Sequence, residues 1–559
     1  MFLPTTRDEV KQRGWDQLDV ILVSGDTYID TSYNGIAIIG NLLQSKGYRV
    51  GVICQPDIKD GHDITRMGEP LLFWGISAGC VDSMVANYTA TKKFRNNDDF
   101  TPGGENNRRP DRASMVYTNL IRQHFKQTKP IVLGGIEASL RRISHYDYWE
   151  NKVRNPLLFD SKADILVYGM GERTILELAD KISKNESWEE VRGICYLSKK
   201  QKPDFLELPS ASEVKESKPA FQKMFQLFYQ NTDFKGRGLF QECNGRFLIQ
   251  NPAQPYETPE ELDLYYNQLS YERDVHPYYK KQGKVKALET IQFSITTHRG
   301  CYGECNFCAI AVHQGRTVRS RAETSIISEA KKMTTHPQFK GNIADVGGPT
   351  ANMYGVECLK KTAQGSCAHK RCLYPHACQN LPLSHERQSQ LLKKLREIKG
   401  IKHVFIASGI RYDMIQQDAS HGKAYLLDLI KYHISGQLKI APEHVNNEVL
   451  SLMGKPSAQG LIQFKKLFDS ATRQLGKKQF LTYYFIASHP GCQLKHMHEL
   501  KKFVSQELKL NPEQIQIFTP TPSTYSTLAY YTETNPFSGD PLFVEKDVCK
   551  KELQKNVLF

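Results

Sequence analysis

Cys301, Cys305 and Cys308 stand in the run Arg299-Gly-Cys-Tyr-Gly-Glu-Cys-Asn-Phe-Cys308, with C-x3-C-x2-C spacing. Iron–sulfur cubanes are ordinarily held by four Cys thiolates. A set of three leaves one iron without a protein ligand, and an open coordination position is where a metal centre takes up a substrate or second cofactor. The chemistry to expect is iron–sulfur chemistry with one accessible corner. The competing reading is a zinc loop or three unrelated thiols. Zinc knuckles usually pair C-x2-C units, which argues against zinc here.

Four more cysteines, Cys358, Cys367, Cys372 and Cys378, follow within 21 residues, with His369 and His376 between them. Four thiols suit a second iron–sulfur cluster or a tetrahedral zinc. The C-x8-C-x4-C-x5-C spacing matches neither a zinc ribbon nor a ferredoxin run, so the choice of metal stays open. Free thiols or a redox pair are the alternative.

Both sets need a scaffold. From about residue 286, short apolar runs alternate with helical patterns. Strands are expected at 291–295, 341–346, 402–406, 437–440, 479–485 and 514–518, with helices such as 387–398 and 460–474 between them. Six strand–helix units make a parallel partial barrel, and catalysis in parallel α/β barrels occurs at the C-terminal strand ends. The three-Cys run follows the first strand. Gly347, Gly348 and Pro349 follow the second, where glycine lets backbone approach a ligand closely. The second cysteine set lies in an insertion beyond them. Ser408 and Arg411 end the third strand, and Arg411 suits a bidentate carboxylate partner. Glu443 and His444 end the fourth, the former as an acceptor for hydroxyls, the latter as an acid–base or structural group. Ser488-His-Pro-Gly-Cys492 ends the fifth. No catalytic residue is assigned.

The first 200 residues carry the same alternation, which predicts an α/β, doubly wound parallel sheet. Its ligand crevice should lie beyond the strand ends Ser24-Gly-Asp26, Gly134-Gly135 and Gly169-Met-Gly171. A long insertion at 77–129 is placed to lie over that crevice, and the basic groups at Lys92–Arg95 and Arg108-Arg109 read as a solvated face. The domains expected are 1–200, a connecting segment at 201–285, the barrel at 286–525, and a turn-rich, basic tail at 526–559.

At 559 residues the chain needs more than one core. It is 40% hydrophobic and 24% charged, with no apolar run long enough to span a membrane. Seven of its thirteen cysteines fall within 301–378, which reads as metal ligation in a reducing cytoplasm rather than a disulfide framework. A net charge of +14 permits nucleic-acid binding without establishing it.

The three-Cys run resembles the signature of the radical S-adenosylmethionine (SAM) superfamily, and Phe307 before the last Cys fits it. With Gly-Gly-Ile-Glu-Ala-Ser-Leu-Arg-Arg142, Gly-Gly-Pro-Thr-Ala-Asn-Met-Tyr-Gly355 and Ser-Gly-Ile-Arg411, the pattern over most of the chain resembles the YgiQ family, whose substrate is unassigned. The resemblance implies a Rossmann-like domain followed by a radical SAM partial (β/α)6 barrel. It implies a [4Fe–4S] cluster on Cys301, Cys305 and Cys308 and SAM bound near Gly347, Gly348, Pro349, Ser408, Arg411 and Glu443. Reductive cleavage of SAM would give a 5′-deoxyadenosyl radical, fed by an electron donor such as flavodoxin or ferredoxin.

The front half also resembles the cobalamin-binding domain of many radical SAM enzymes. That domain carries Asp-x-His-x-x-Gly after its first strand. Here Tyr28 stands where the cobalt-ligating His would be, so cobalamin is not expected. Lys439–His444 and the following run resemble tRNA methylthiotransferases. A tRNA- or rRNA-modifying enzyme is therefore one alternative, and a non-catalytic zinc or iron scaffold is another.

Overall fold

Five apolar runs near the start of the chain pair side by side and in parallel. Val50–Cys54, Val20–Ser24, Phe73–Ser77, Ile131–Gly134 and Ile165–Val167 lie in that spatial order. The first three in sequence are buried along almost their whole length, because helices cover both faces of a parallel sheet. Numbered along the chain, the order is 2-1-3-4-5, that of a flavodoxin-like doubly wound fold. Its ligand crevice opens at the switch point between the first and third strands.

The computed structural model describes residues 1–368, 371–510, 512 and 514–559. The chain forms two units: Met1–Tyr256 with Leu264–Gln292 and Thr521–Ser523, and Glu257–Asp263 with Phe293–Pro520 and Thr524–Phe559. Among the described residues, no helix is long and apolar enough to cross a membrane.

The segment expected to connect the domains at 201–285 instead enlarges the first sheet. Ile194–Ser198, Arg246–Gln250, Leu239–Cys243 and Leu206–Leu208 extend it to nine strands. The turn at Asn244-Gly245 explains why. Both residues take positive φ, 52° and 73°, as a two-residue hairpin requires, and Asn-Gly is the sequence that adopts this readily. The tail expected at 526–559 contains two helices, Tyr525–Thr532 and Val548–Asn556. Lys551 Nζ is buried there and donates to the Tyr530 hydroxyl at 2.9 Å.

The insertion after Phe73–Ser77 does return over the strand ends. It carries the helices Ser83–Asn87 and Ala113–His124. The expectation of a solvated basic face fails at Arg109. Its Nη2 lies 2.7 Å from Asp26 Oδ1 and 2.9 Å from Asp98 Oδ2, and all three residues are buried. A charge cannot be buried cheaply without partners, and two carboxylates supply them here.

The second unit is a run of parallel strands. Ser294–Thr296 pairs with Asp345–Gly347, and Asn342–Ile343 with His403–Val404. A parallel bridge from Ile410 to Ile440 leads to Gln437–Glu443, then Phe480–Ala487, then Gln514–Ile517. These are the six strands of the partial barrel, each within a few residues of its expected position. Helices Glu386–Arg396 and Gln459–Gln474 cover it. The latter buries Leu461, Phe464, Phe468 and Ala471, one stripe of a 3.6-residue period, against strand residues such as Leu438, Ile440 and Phe485.

Two measurements check this packing. Phe464 has no exposed surface and its ring centroid lies 5.5 Å from that of Tyr412. Phe464→Ala should cost about 3–5 kcal/mol, read as a lower denaturant midpoint. His433 is buried, with Nδ1 donating to the Val404 carbonyl at 2.7 Å, and burial lowers its pKa from 6.5 to about 4. The neutral ring is the folded form. Its contribution is present above pH 6.5 and lost as the pH falls towards 4, a loss of about 2 kcal/mol by pH 5. Thermal midpoints should therefore fall between pH 7 and 5, and fall less in His433→Gln.

Candidate metal centre

The three-Cys loop leaves the barrel just after Ser294–Thr296 and its following residues His298–Arg299. Cys301 and Cys305 both point at Gly303. A Cβ there would sit 3.3 Å from Cys301 Sγ, 3.6 Å from Cys305 Sγ and 3.3 Å from Arg411 Nη1. The Gly303 amide donates to Cys301 Sγ at 3.3 Å, and Thr350 Oγ1 lies 3.4 Å from the same sulfur. Arg411 Nη1 donates to Cys305 Sγ at 3.8 Å. Asn306 ties the loop down: its amide and side-chain nitrogen donate to the carbonyls of Met453 and Leu452 at 2.9 and 2.8 Å.

Burial pushes the Cys301 thiol up, the neighbouring Cys305 pushes it further, and Thr350 and Arg411 oppose the rise. Burial takes Cys308 up to about 12. Buried thiols that repel one another as anions are costly to ionise alone, and a bound cationic centre deprotonates such ligands outright. Two sulfurs beside a side-chain-free residue, a third in the same loop, and a guanidinium against the first two are a donor set that fits an iron–sulfur cluster. Among the described residues, no three His, Cys, Asp or Glu side chains converge as a single ion would require.

The neighbouring strand ends hold the remaining expected residues. The Gly347 carbonyl accepts from Thr297, from the amide at 2.7 Å and the hydroxyl at 3.1 Å. A Cβ on Gly347 would come within 2.8 Å of Ser408 Oγ, and one on Gly348 within 2.7 Å of the His298 ring. Backbone therefore passes close to side chains at both glycines, and half-buried Pro349 leads on to Thr350. Ser408 donates its hydroxyl to Asp345, which also accepts the amides of Ala407 and Ser408.

Arg411 does grip a carboxylate in two-pronged fashion, but that carboxylate is Asp413. Nε and Nη2 donate at 2.8 and 2.6 Å, and both residues are buried. The expected pairing with a ligand carboxylate is thus already satisfied within the chain. What remains directed at the pocket is Nη1, over Cys305.

Glu443 closes its strand at φ 69°, a left-handed conformation that costs a residue with a Cβ roughly 1–2 kcal/mol. Its carboxylate is buried, 3.6 Å from Lys455 Nζ, and burial raises its pKa against the pull of Lys455. Ser488, after the next strand, is also left-handed at φ 58°. Strain of this kind collects at functional rims. His444 is wholly buried, 3.7 Å from Cys492 Sγ, with its pKa lowered by burial to about 3. That is a structural, neutral histidine rather than an acid. His489 is likewise lowered to about 3 and bonded to Ser526 Oγ at 2.7 Å.

Cys358, Cys367, Cys372 and Cys378 line one pocket with Lys361 and Arg371. His376 is exposed and outside its lining. His369 lies outside the described residues.

Several site residues carried no motif. Asp345 organises the Gly347–Ser408 rim. Asn352 holds the Arg411 backbone from both sides, accepting its amide at 2.8 Å and donating to its carbonyl at 3.0 Å. Asn352 is also 3.1 Å from His385 Nε2, whose Nδ1 meets Asp418 at 2.8 Å. The available signal was proximity: Asp345 opens the Gly-Gly run, Asn352 lies within it, and Asp413 is two residues from Arg411.

At this point the comparisons with known proteins bear on the site. A family model described as the radical SAM N-terminal region matches residues 2–294. A UPF0313 protein of Fusobacterium nucleatum is 59% identical over 559 residues, 100% of this chain and 98% of that one. One from Thermotoga neapolitana is 47% identical over 100% of this chain and 99% of its own. Among solved structures, the radical SAM methyltransferase TsrM from Kitasatospora setae, with cobalamin and a [4Fe–4S] cluster bound, gives a TM-score of 0.53 at 13% identity. The match covers 91% of this chain and 76% of that one. The radical SAM enzyme OxsB with aqua-cobalamin bound gives 0.51 at 14% identity, over 96% of this chain and 58% of that one.

These neighbours overturn the expectation that cobalamin is unlikely, since proteins of this fold hold it. Tyr28 was the wrong residue to judge by. Its hydroxyl accepts from the Leu3 amide at 3.2 Å and donates to Asp30 at 3.2 Å, and its ring stacks on His276. The side chain is committed to the core, so its identity says nothing of a ligand at the strand ends. At Gly134, one of those ends, an added Cβ would meet nothing within 4 Å. With relatives matched across its whole length, and the fold and family model in agreement, the chain belongs to the UPF0313, or YgiQ, family of radical SAM proteins.

Proposed function

We propose that the second unit is the catalytic core of a radical SAM enzyme, with Cys301, Cys305 and Cys308 holding a [4Fe–4S] cluster and SAM bound at the strand ends beside it. Such a cluster with SAM on its open iron supplies the one-electron, reductive cleavage of SAM to a 5′-deoxyadenosyl radical. The observation that carries this reading is the gathering of Cys301 and Cys305 on Gly303, at the barrel rim, beneath Arg411.

The chain's own residues have distinct tasks. Gly303 makes room for the sulfurs and gives one of them an amide hydrogen bond. Arg411 offsets the negative charge of thiolates and is kept in place by Asp413. Gly347 and Gly348 let backbone, rather than side chains, face the ligand. Glu443, buried beside Lys455, is an acceptor for sugar hydroxyls at the same rim. Apolar packing that includes Tyr302 and Met353 lies against Cys301 and limits solvent access on that side.

Two experiments test this. Cys301→Ala, purified and reconstituted without oxygen, should lose the cluster absorption and release 5′-deoxyadenosine only at background under dithionite. Unchanged release, or a colourless wild type that carries zinc, contradicts the reading. Arg411→Gln strands the buried Asp413 carboxylate and should cost about 3–5 kcal/mol of stability. Adding Asp413→Asn should restore most of that loss. The double variant should still show a more negative cluster midpoint potential, because the cation facing Cys305 is gone.

A further inference from the structure

We propose that Cys358, Cys367, Cys372 and Cys378 hold a second [4Fe–4S] cluster, in the loop that follows Ala351–Met353. The inference goes beyond the SAM site and does not need it, since this set has its own four thiols.

Convergence is the first argument. Cysteines separated by eight, four and five intervening residues all line the same pocket. Chance thiols in a loop have no reason to face one space. The Cys378 amide donates to the Cys372 carbonyl at 2.8 Å, which closes the last part of the loop on itself.

The second argument separates a cubane from zinc. A mononuclear zinc draws four sulfurs to one point at about 2.3 Å each. Among the described residues, no such convergence of three donors exists. A cubane binds each thiolate to a different iron, so its sulfurs stand farther apart around a larger space.

Electrostatics supply the third. A four-thiolate cubane is an anion, and a buried anion needs compensation. Lys361 Nζ, buried 2.8 Å from the Arg316 carbonyl and within reach of Cys372, shares its charge with the Glu304 carboxylate at 3.0 Å and so supplies only part of that compensation. Arg371 also lines the cavity.

The position relative to the first set is informative. Tyr302, the residue after Cys301, accepts the Cys358 amide at 2.9 Å through its hydroxyl oxygen. Cys301, Cys358, Cys372 and Cys378 pack in one apolar cluster around Tyr302. The two sulfur sets are thus neighbours across a single aromatic residue.

The test is iron, sulfide and zinc analysis with Mössbauer spectroscopy on the full chain after anaerobic reconstitution. Wild type should hold about eight irons, and a variant carrying Cys301→Ala, Cys305→Ala and Cys308→Ala about four, still as a [4Fe–4S] cluster. That variant leaves the second set intact, so it decides the matter even if the reverse variant misfolds. The reverse variant, with Cys358→Ala, Cys367→Ala, Cys372→Ala and Cys378→Ala, should keep about four irons and its SAM cleavage. Zinc, or no metal, in the first variant overturns the proposal. Should the first variant retain a cluster while the wild type cleaves no SAM, the second site stands and the assignment of the first falls.

Discussion

The thiols of Cys301 and Cys305 can gather where they do because residue 303 has no side chain. A methyl group there would crowd the Cys301 sulfur and the Arg411 guanidinium and would touch the Cys305 sulfur. Much else in the second unit serves that meeting. Asn306 anchors the loop to the helix Asn447–Met453. Asp413 fixes the guanidinium, and Asn352 fixes the backbone that carries it. Asn352 is in turn oriented by the His385–Asp418 pair. A chain of hydrogen bonds therefore runs from the start of the helix Glu386–Arg396 to Arg411 through buried links, and on to the Cys305 sulfur through a part-buried one.

The first unit obeys a different constraint. A flavodoxin-like strand order leaves a crevice at the strand ends, and the chain spends a long insertion there. Arg109 is buried between Asp26 and Asp98, which pins that insertion to the end of the strand Val20–Ser24. The buried triad is a costly arrangement that fixes one geometry.

Much of this was legible in the sequence, and for reasons that can be named. The six barrel strands were found because buried parallel strands are short apolar runs between longer amphipathic helices. The Cys301–Cys308 run was found because thiol spacing is chemistry written locally. The strands at 206–250 were missed because they are only three to five residues long and carry charged or polar residues, although Asn244-Gly245 marked the hairpin. The roles of Arg109 and Arg411 were misjudged for one shared reason. A sequence shows a charge but not its partner, and Asp26, Asp98 and Asp413 are brought to them by the fold. His444 was open between acid and structure until its burial decided for structure.

The central claim is that three sulfurs hold a cubane whose fourth corner accepts a sulfonium nucleotide. Mössbauer spectra of the iron-57 protein lacking the second cysteine set, recorded with and without SAM, test it most directly. One iron of the cubane should change its isomer shift when SAM is added, and the others should not. Spectra that are identical with and without SAM would contradict the account.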